Sequence, residues 1–256
     1  MKLPFLTTLI IAPLVLTGGV YAQTKRPQSL NSSKPTAARS AEVGQSGIVV
    51  DETLSVLRKS PSLFSESVHR MQRGRKVQIL AVTEADGVRF YKVTAPPSNY
   101  GWVQADAIFG KFRPSDEERL ARLVQALDGF DQIEAAVEFF KLYPDSKFRP
   151  TILLLYGDLL EEVAAKLSTD AGRRLSRKEM AASAAPMHSY YLNFVSLDRY
   201  RKLGVVFLFN SGAQQFHYDG ASWKEIVELH PDSSEATEAR NRLEALKTKM
   251  AAAKAP

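Results

Sequence analysis

The stretch SNYGWVQADAIFG, residues 98–110, decides how this chain is read. It holds a Gly-Trp-Val triplet, entered from the Pro-rich APPSN turn and left through a small apolar run. Tryptophan, valine and tyrosine suit a pleated, half-buried surface. The stretch reads as the last strand of a small β-barrel. Upstream the same patterning recurs. GIVVDETLSVLRKSP (47–61) alternates apolar and polar residues around Leu54 and Val56. RKVQILAVT (75–83) sets Val77, Ile79 and Ala81 on one face, with Leu80 and Val82 on the other. VRFYKVTA (88–95) is a further strand, and Gly74, Gly87 and APPSN punctuate the set. Roughly four to six short strands in about 60 residues is the pattern of a small barrel, closed so that few edges remain.

Residues 48–110 resemble the bacterial SH3-like (SH3b) domains. The resemblance is carried, in order, by LSVLRKSPS (54–62), MQRGRKVQIL (71–80), RFYKVT (89–94) and YGWVQADAI (100–108). The asparagine and glycine usual in the first of these motifs are absent, because Ser55 and Leu57 interrupt the pattern. The resemblance implies an SH3-like barrel that binds peptide or cell-wall material.

After the barrel the period changes. In FRPSDEERLARLVQALDG (112–129), Ser115 is placed to cap a helix whose first turn holds Asp116, Glu117 and Glu118. Leu120, Leu123, Val124 and Leu127 then fall on one helical face. DQIEAAVEFFKLYPDS (131–146) is a second helix stopped before Pro144, and RPTILLLYGDLLEEVAAKL (149–167) a third. The word LYPDS at Leu142 returns as LHPDS at Leu229, in the same helix–turn–helix setting. Together with Ala136, Phe140, Tyr156 and Gly157, and with Trp223, Ile226, Ala236, Ala239 and Leu243, this looks like the helix junction of tetratricopeptide (TPR) repeats. The two words are 87 residues apart rather than 34, so residues 168–220 hold divergent helices or an insertion. RKEMAASAAPMHSYYLNFVSLDRY (177–200) reads as two helices about Pro186. GVVFLFNSGAQQFHYDG (204–220) fits a buried strand or a helix core, and its helical neighbours favour helix. The expected fold is a multidomain all-β plus all-α chain: a small SH3-like β-barrel at 48–110 and a TPR-like α-helical repeat domain at 115–250, with a disordered tail at 251–256.

The N-terminus, MKLPFLTTLIIAPLVLTGGVYAQ, has one early lysine, an apolar run and small residues at Val20 and Ala22. That is the pattern of a signal peptide over 1–22, cleaved after Ala22. The alternative is an uncleaved anchor helix, since the run is close to the minimum for a span. Residues 23–47 are rich in Ser, Pro, Thr, Ala, Lys and Arg and poor in large apolar side chains, and read as a disordered basic linker. The expectation is an exported protein of the periplasm or the extracellular space, with no integral membrane span after signal removal. The 256 residues are 45% hydrophobic and 24% charged, which is ordinary for a globular chain. The absence of cysteine excludes disulfides, thiolate metal sites and a cysteine nucleophile. The formal charge of +6 is spread along the chain and does not form a nucleic-acid footprint.

No phosphate loop and no paired-histidine metal motif appears, and neither a cofactor nor a metal is expected. The four histidines are scattered. The pair His217 and Asp219, with Ser211 or Ser222, is the one arrangement that suggests catalysis, and residues two apart on a helix do not face each other. Glu161 and Glu162 read as the solvated face of a helix. Binding is the better class. Tyr100 and Phe64 are candidates for exposed rings that stack on peptide or sugar, with Trp102 beside them in the Gly-Trp-Val strand. Within the basic group Arg70, Arg73, Arg75 and Lys76, Arg73 and Arg75 are candidates to meet ligand carboxylates. The expected function is a non-enzymatic envelope scaffold, its barrel on peptidoglycan or peptide and its helices on a protein partner. The alternatives are a cell-wall turnover enzyme with an unrecognised site, and a purely structural periplasmic protein.

Overall fold

The computed structural model describes residues 40–96, 99–183 and 185–251. The signal-peptide reading of 1–22, most of the linker and the last residues of the tail lie outside the described residues. The linker was expected to run to Gly47, but residues 40–47 already belong to the fold. Glu42 is buried there, accepting hydrogen bonds from Tyr91 Oη (3.0 Å) and Arg89 Nη2 (2.9 Å).

Seven strands come first: β1 (Ser46–Val49), β2 (Val56–Arg58), β3 (Ser67–Arg70), β4 (Lys76–Ala85), β5 (Val88–Ala95), β6 (Asn99–Gln104) and β7 (Ile108–Phe109). They form one antiparallel sheet in the order β3-β2-β6-β5-β4-β1-β7. The chain goes on through α1 (Asp116–Ala126), α2 (Gly129–Leu142), α3 (Arg149–Arg174), α4 (Arg177–Ala182), α5 (Met187–Leu192) and α6 (Asp198–Arg201). A hairpin of β8 (Phe207–Asn210) and β9 (Gln215–Tyr218) precedes α7 (Ala221–Leu229) and α8 (Ala236–Ala251).

This overturns the expected division into a closed SH3-like barrel and an all-helical TPR-like domain. The fold is a mixed one, a seven-stranded sheet with helices, and the sheet does not close. Closure needs the two outer strands to pair, and β3 and β7 each pair on one side only. The residues after Gly-Trp-Val turn through a 3₁₀ segment at Ala105–Ala107 before β7 comes back against β1. The helical part is not all helix, because residues 207–218 pair as strands, Phe209 opposite Phe216. Tyr191 stacks on Phe209 with ring centroids 4.4 Å apart, and Ser168 Oγ of α3 accepts the Phe216 N–H at 2.7 Å.

Local chemistry explains several elements. Asp86 and Gly87 both have positive φ (54° and 71°), as the two-residue turn joining β4 to β5 requires. A β-bulge between Ile79 and Ala81 shifts the phase of β4. Val77 and Ile79 face the core as expected, but beyond the bulge Val82 takes the inward place expected of Ala81. Ser115 makes no side-chain cap on α1, and Ser146, which accepts the Phe148 N–H, precedes the first turn of α3.

Sheet and helices share a core, since Val50 and Phe109 pack among Leu120, Val124, Ile133 and Phe139. Two polar joints reinforce it. The Asp116 carboxylate is fully buried and accepts from Gly110 N (3.1 Å), Arg113 Nε (2.9 Å) and Arg119 Nη1 (2.7 Å). Arg113 also donates to the carbonyls of Ala105 and Ile108, and Arg119 to Asp106 Oδ1 (3.1 Å). On the second joint Arg73, whose side chain is 6% exposed, donates to Val50 O (2.8 Å) and to Glu134 (3.0 Å) and Asp131 (3.4 Å) of α2. Further along, α3 and α7 cross at Gly157, where a Cβ would sit 2.6 Å from Ser222 Oγ and 2.7 Å from Trp223 Cε2.

Removing the Asp116 carboxylate strands two arginines. Asp116→Ala is expected to cost about 3 kcal/mol, the low end of the range for a broken buried pair, because Arg119 is part-exposed and keeps Asp106. Urea denaturation followed by tryptophan fluorescence measures it. Gly157→Ala overpacks the helix crossing and is expected to cost about 1–3 kcal/mol by the same assay.

Candidate functional site

In β6 the side chains alternate. Gly101 and Val103 turn inward, while Tyr100 and Trp102 turn outward. A Cβ on Gly101 would lie 2.7 Å from Arg58 O and Leu57 Cγ, so only glycine lets β2 approach so closely there. That approach sets Arg58 opposite Trp102 on one side, and Lys92 of β5 stands opposite it on the other. Directly opposed residues share a face, so an arginine, an indole and a lysine form a row across the outer sheet surface. Tyr100 lies opposite Thr94 on the same face and is 63% exposed.

The row keeps its charge. Arg58 Nη1 donates to Ser65 O at 2.8 Å, a carbonyl, and its buried Nε has no partner among the described residues. Lys92 is exposed and forms no ion pair among the described residues. One border of this face is the loop at 59–66. Ser62 Oγ and Leu63 N both donate to Asp86 Oδ2, at 2.7 and 2.8 Å. The hydrogen bond from Ser62, with that from Leu63, holds the Asp86 carboxyl below the usual aspartate range. β2 and the β4–β5 turn flank β6 and β5 in the strand order, so the tie links the two sides of this strand pair. Phe90, which shares that face, is fully buried, while Phe64 on the loop is 90% exposed.

The structure brings Tyr100 and Trp102 onto one surface, with Phe64 on the loop that bounds it. Arg73 belongs to the joint with α2, where it meets Glu134 and Asp131. Arg75 lies away from the row, its guanidinium donating to the Pro96 carbonyl. Sequence reasoning missed Arg58 and Lys92 as partners of Trp102. Alternation points all three outward, but their meeting depends on the pairing of β2 with β6, which the sequence does not display.

The catalytic alternative at His217 is arranged differently from the expectation. His217 is on β9, and its Nδ1 bonds Glu161 Oε1 at 2.9 Å. Asp219 accepts from Ala221 N instead, and Ser222 N donates to Tyr218 Oη. Glu161, expected on a solvated face, also accepts from Lys249 Nζ (2.7 Å) and Tyr218 N (2.9 Å). Burial pushes its pKa up, but the hydrogen bonds from Lys249, His217 and the Tyr218 amide outweigh burial and leave it below the usual glutamate value. This network lines an open groove of about 910 Å³ between α3, α8 and the hairpin, with Asp158 and Arg242 paired across it at 2.9 Å. Among the described residues no group of three or more His, Cys, Asp or Glu is placed to hold a metal, and no helix is long and apolar enough to cross a membrane.

Comparison with protein-family models, with curated proteins and with solved structures gave no match.

A carboxylate whose pKa is lowered by folding stabilises the fold above its unfolded pKa and loses that contribution as the pH falls through its folded value. Glu161 therefore stabilises the fold above about 4.5, the ordinary glutamate value, and progressively less below it. The urea midpoint of the native protein is expected to fall more between about pH 6 and about pH 3 than that of Glu161→Gln. Equal falls in the two proteins would remove Glu161 from this role.

Proposed function

We propose that this chain is a non-enzymatic, exported envelope protein that binds cell-wall material or peptide through the outer face of its sheet. The observation that carries the reading is the row Arg58–Trp102–Lys92, an outward indole between two cations that no carboxylate among the described residues neutralises. An indole face stacks on the apolar side of a sugar ring or on a peptide plane, and flanking cations meet carboxylates on either side. Peptidoglycan offers both kinds of group. Export rests on the sequence pattern of residues 1–22.

The helical part takes the second role, contact with a protein partner. The groove between α3, α8 and the β8–β9 hairpin supports it, being open and wide enough for an extended segment. Binding is favoured over catalysis because His217 is committed to Glu161, and neither Ser211 nor Ser222 is among its hydrogen-bond partners.

The test is retention of the full chain on purified peptidoglycan sacculi. Trp102→Ala is expected to weaken retention about 3- to 10-fold, the worth of one good aromatic contact. Lys92→Glu should weaken it further and flatten its salt dependence. Undiminished retention of both variants, with circular dichroism confirming their fold, sinks the reading.

A further inference from the structure

The sheet's other distinctive feature lies away from the Trp102 row, at β3. Among the described residues this strand is the outermost of the sheet and pairs only with β2, so its second edge presents N–H and C=O groups with no partner there. No proline interrupts it, and Val68 on it is 48% exposed. Native proteins usually cover or blunt such an edge, because an extended chain can add to it.

Where β3 ends, a pocket of about 470 Å³ opens. It is lined by His69 and Arg70 of the strand, by the connection 71–75 with Arg75, and by Asn99 at the start of β6. Of the arginines that line it, Arg73 is matched by Glu134 and Asp131, while Arg70 and Arg75 differ from the arginines that form ion pairs. Arg89, Arg113, Arg149 and Arg242 each meet a carboxylate. Arg70 instead donates to the carbonyls of Glu52 and Thr53, and Arg75 to that of Pro96. These bonds hold both guanidinium groups, and neither forms an ion pair among the described residues. Arg75 Nε is buried with no partner among the described residues. Across the pocket Asn99 Nδ2 approaches His69 Nε2 at 3.5 Å, adding a polar wall. Cations held rigidly by carbonyl groups, unneutralised and set in a concavity, form a pre-organised receptor for a planar anion.

We infer that β3 and this pocket form a peptide site: an extended peptide adds to the free edge of β3 and places a carboxylate between Arg70 and Arg75. The strand edge supplies main-chain hydrogen bonds that do not depend on peptide sequence, and the arginines select a chain that carries a carboxylate at the right distance. The carboxylate is the peptide's C-terminus or an acidic side chain, and both present the same two oxygens to the guanidinium fork. The inference does not rest on the proposed sacculus contact, since it uses none of Arg58, Trp102 or Lys92.

The experiment is isothermal titration of the full chain with three N-acetylated hexapeptides of alternating valine and threonine. One ends in a free carboxylate, one is its C-terminal amide, and one is the amide with an internal glutamate. The free acid is expected to bind at least about tenfold more tightly than the plain amide, the worth of one charge-assisted pair. Arg75→Gln and Arg70→Gln should each remove most of that difference, while Arg240→Gln, exposed on α8, leaves it intact. Tight binding of the glutamate peptide supports the site with the side chain as its source. Hydrogen exchange should slow at the amides of residues 67–70 when peptide saturates the protein. Equal binding of all three peptides, or unchanged exchange at β3, overturns the inference on the native protein without recourse to any variant. Competition by inorganic phosphate or glucuronate at the concentration at which the peptide acid binds overturns it as well, by showing an unselective anion site.

Discussion

The fold turns on one buried carboxylate. Asp116 sits at the first position of α1, fully out of water, and gathers donors from both layers: the Gly110 amide just past the last strand of the sheet, and two arginines that also grip Ala105, Ile108 and Asp106. Burial pushes its pKa up, and the charges of Arg113 and Arg119 and the bonds from Arg113 and Gly110 only partly oppose this. An ionised group in such a place is tolerated only when its lone pairs are matched by well-placed donors. Those donors come from both sides of the junction, so the carboxylate fixes where the first helix leaves the sheet. Tyr143 adds to the same joint by donating to the Gly110 carbonyl at 3.1 Å. With Val50 and Phe109 packed among the helices, and Arg73 reaching α2, the sheet and the helical layer hold one another in register.

Much of the secondary structure was legible in the sequence. The runs around Val77, Tyr91 and Val103 form strands because β-branched and aromatic side chains alternate there, and the words at Leu142 and Leu229 fall between α2 and α3 and between α7 and α8. What escaped is what depends on partners distant in the chain. Barrel closure was inferred from strand number, but strand number does not say whether the outermost strands meet. The extra residue at the β4 bulge reverses which of Ala81 and Val82 faces inward, and no period-2 count detects it. Residues 207–218 carry a short apolar run that fits strand or helix equally, and the pairing of Phe209 with Phe216 decides it.

The candidate site shows the same limit. Tyr100 and Trp102 could be placed outward from alternation about Gly101. Arg73 looked like its neighbours Arg70 and Arg75, because a sequence does not reveal that Glu134 waits 61 residues on. Glu161 looked like a solvated helical glutamate, because the donors that surround it come from a strand and from the last helix.

The sheet also defines how the molecule carries load. The first strand and the last strand of the sheet lie side by side, Ile48 opposite Phe109 and Val49 opposite Ile108. The chain therefore leaves the sheet beside the point where it entered. Because the two strands run antiparallel, tension entering at residue 40 and leaving through α1 would open them from one end, one hydrogen bond at a time, and not shear them all at once. Before it reaches that pair, the tension meets Glu42, bonded to Tyr91 and Arg89 of β5, and residues 44 and 45, bonded to Ile79 of β4. What resists is a polar clasp at each end, Glu42 with Arg89 and Tyr91 before the strand pair and the ion cluster beyond Phe109 after it, so the mechanical strength of the molecule between its N-terminal segment and its helices is that of two clasps on either side of a zipper.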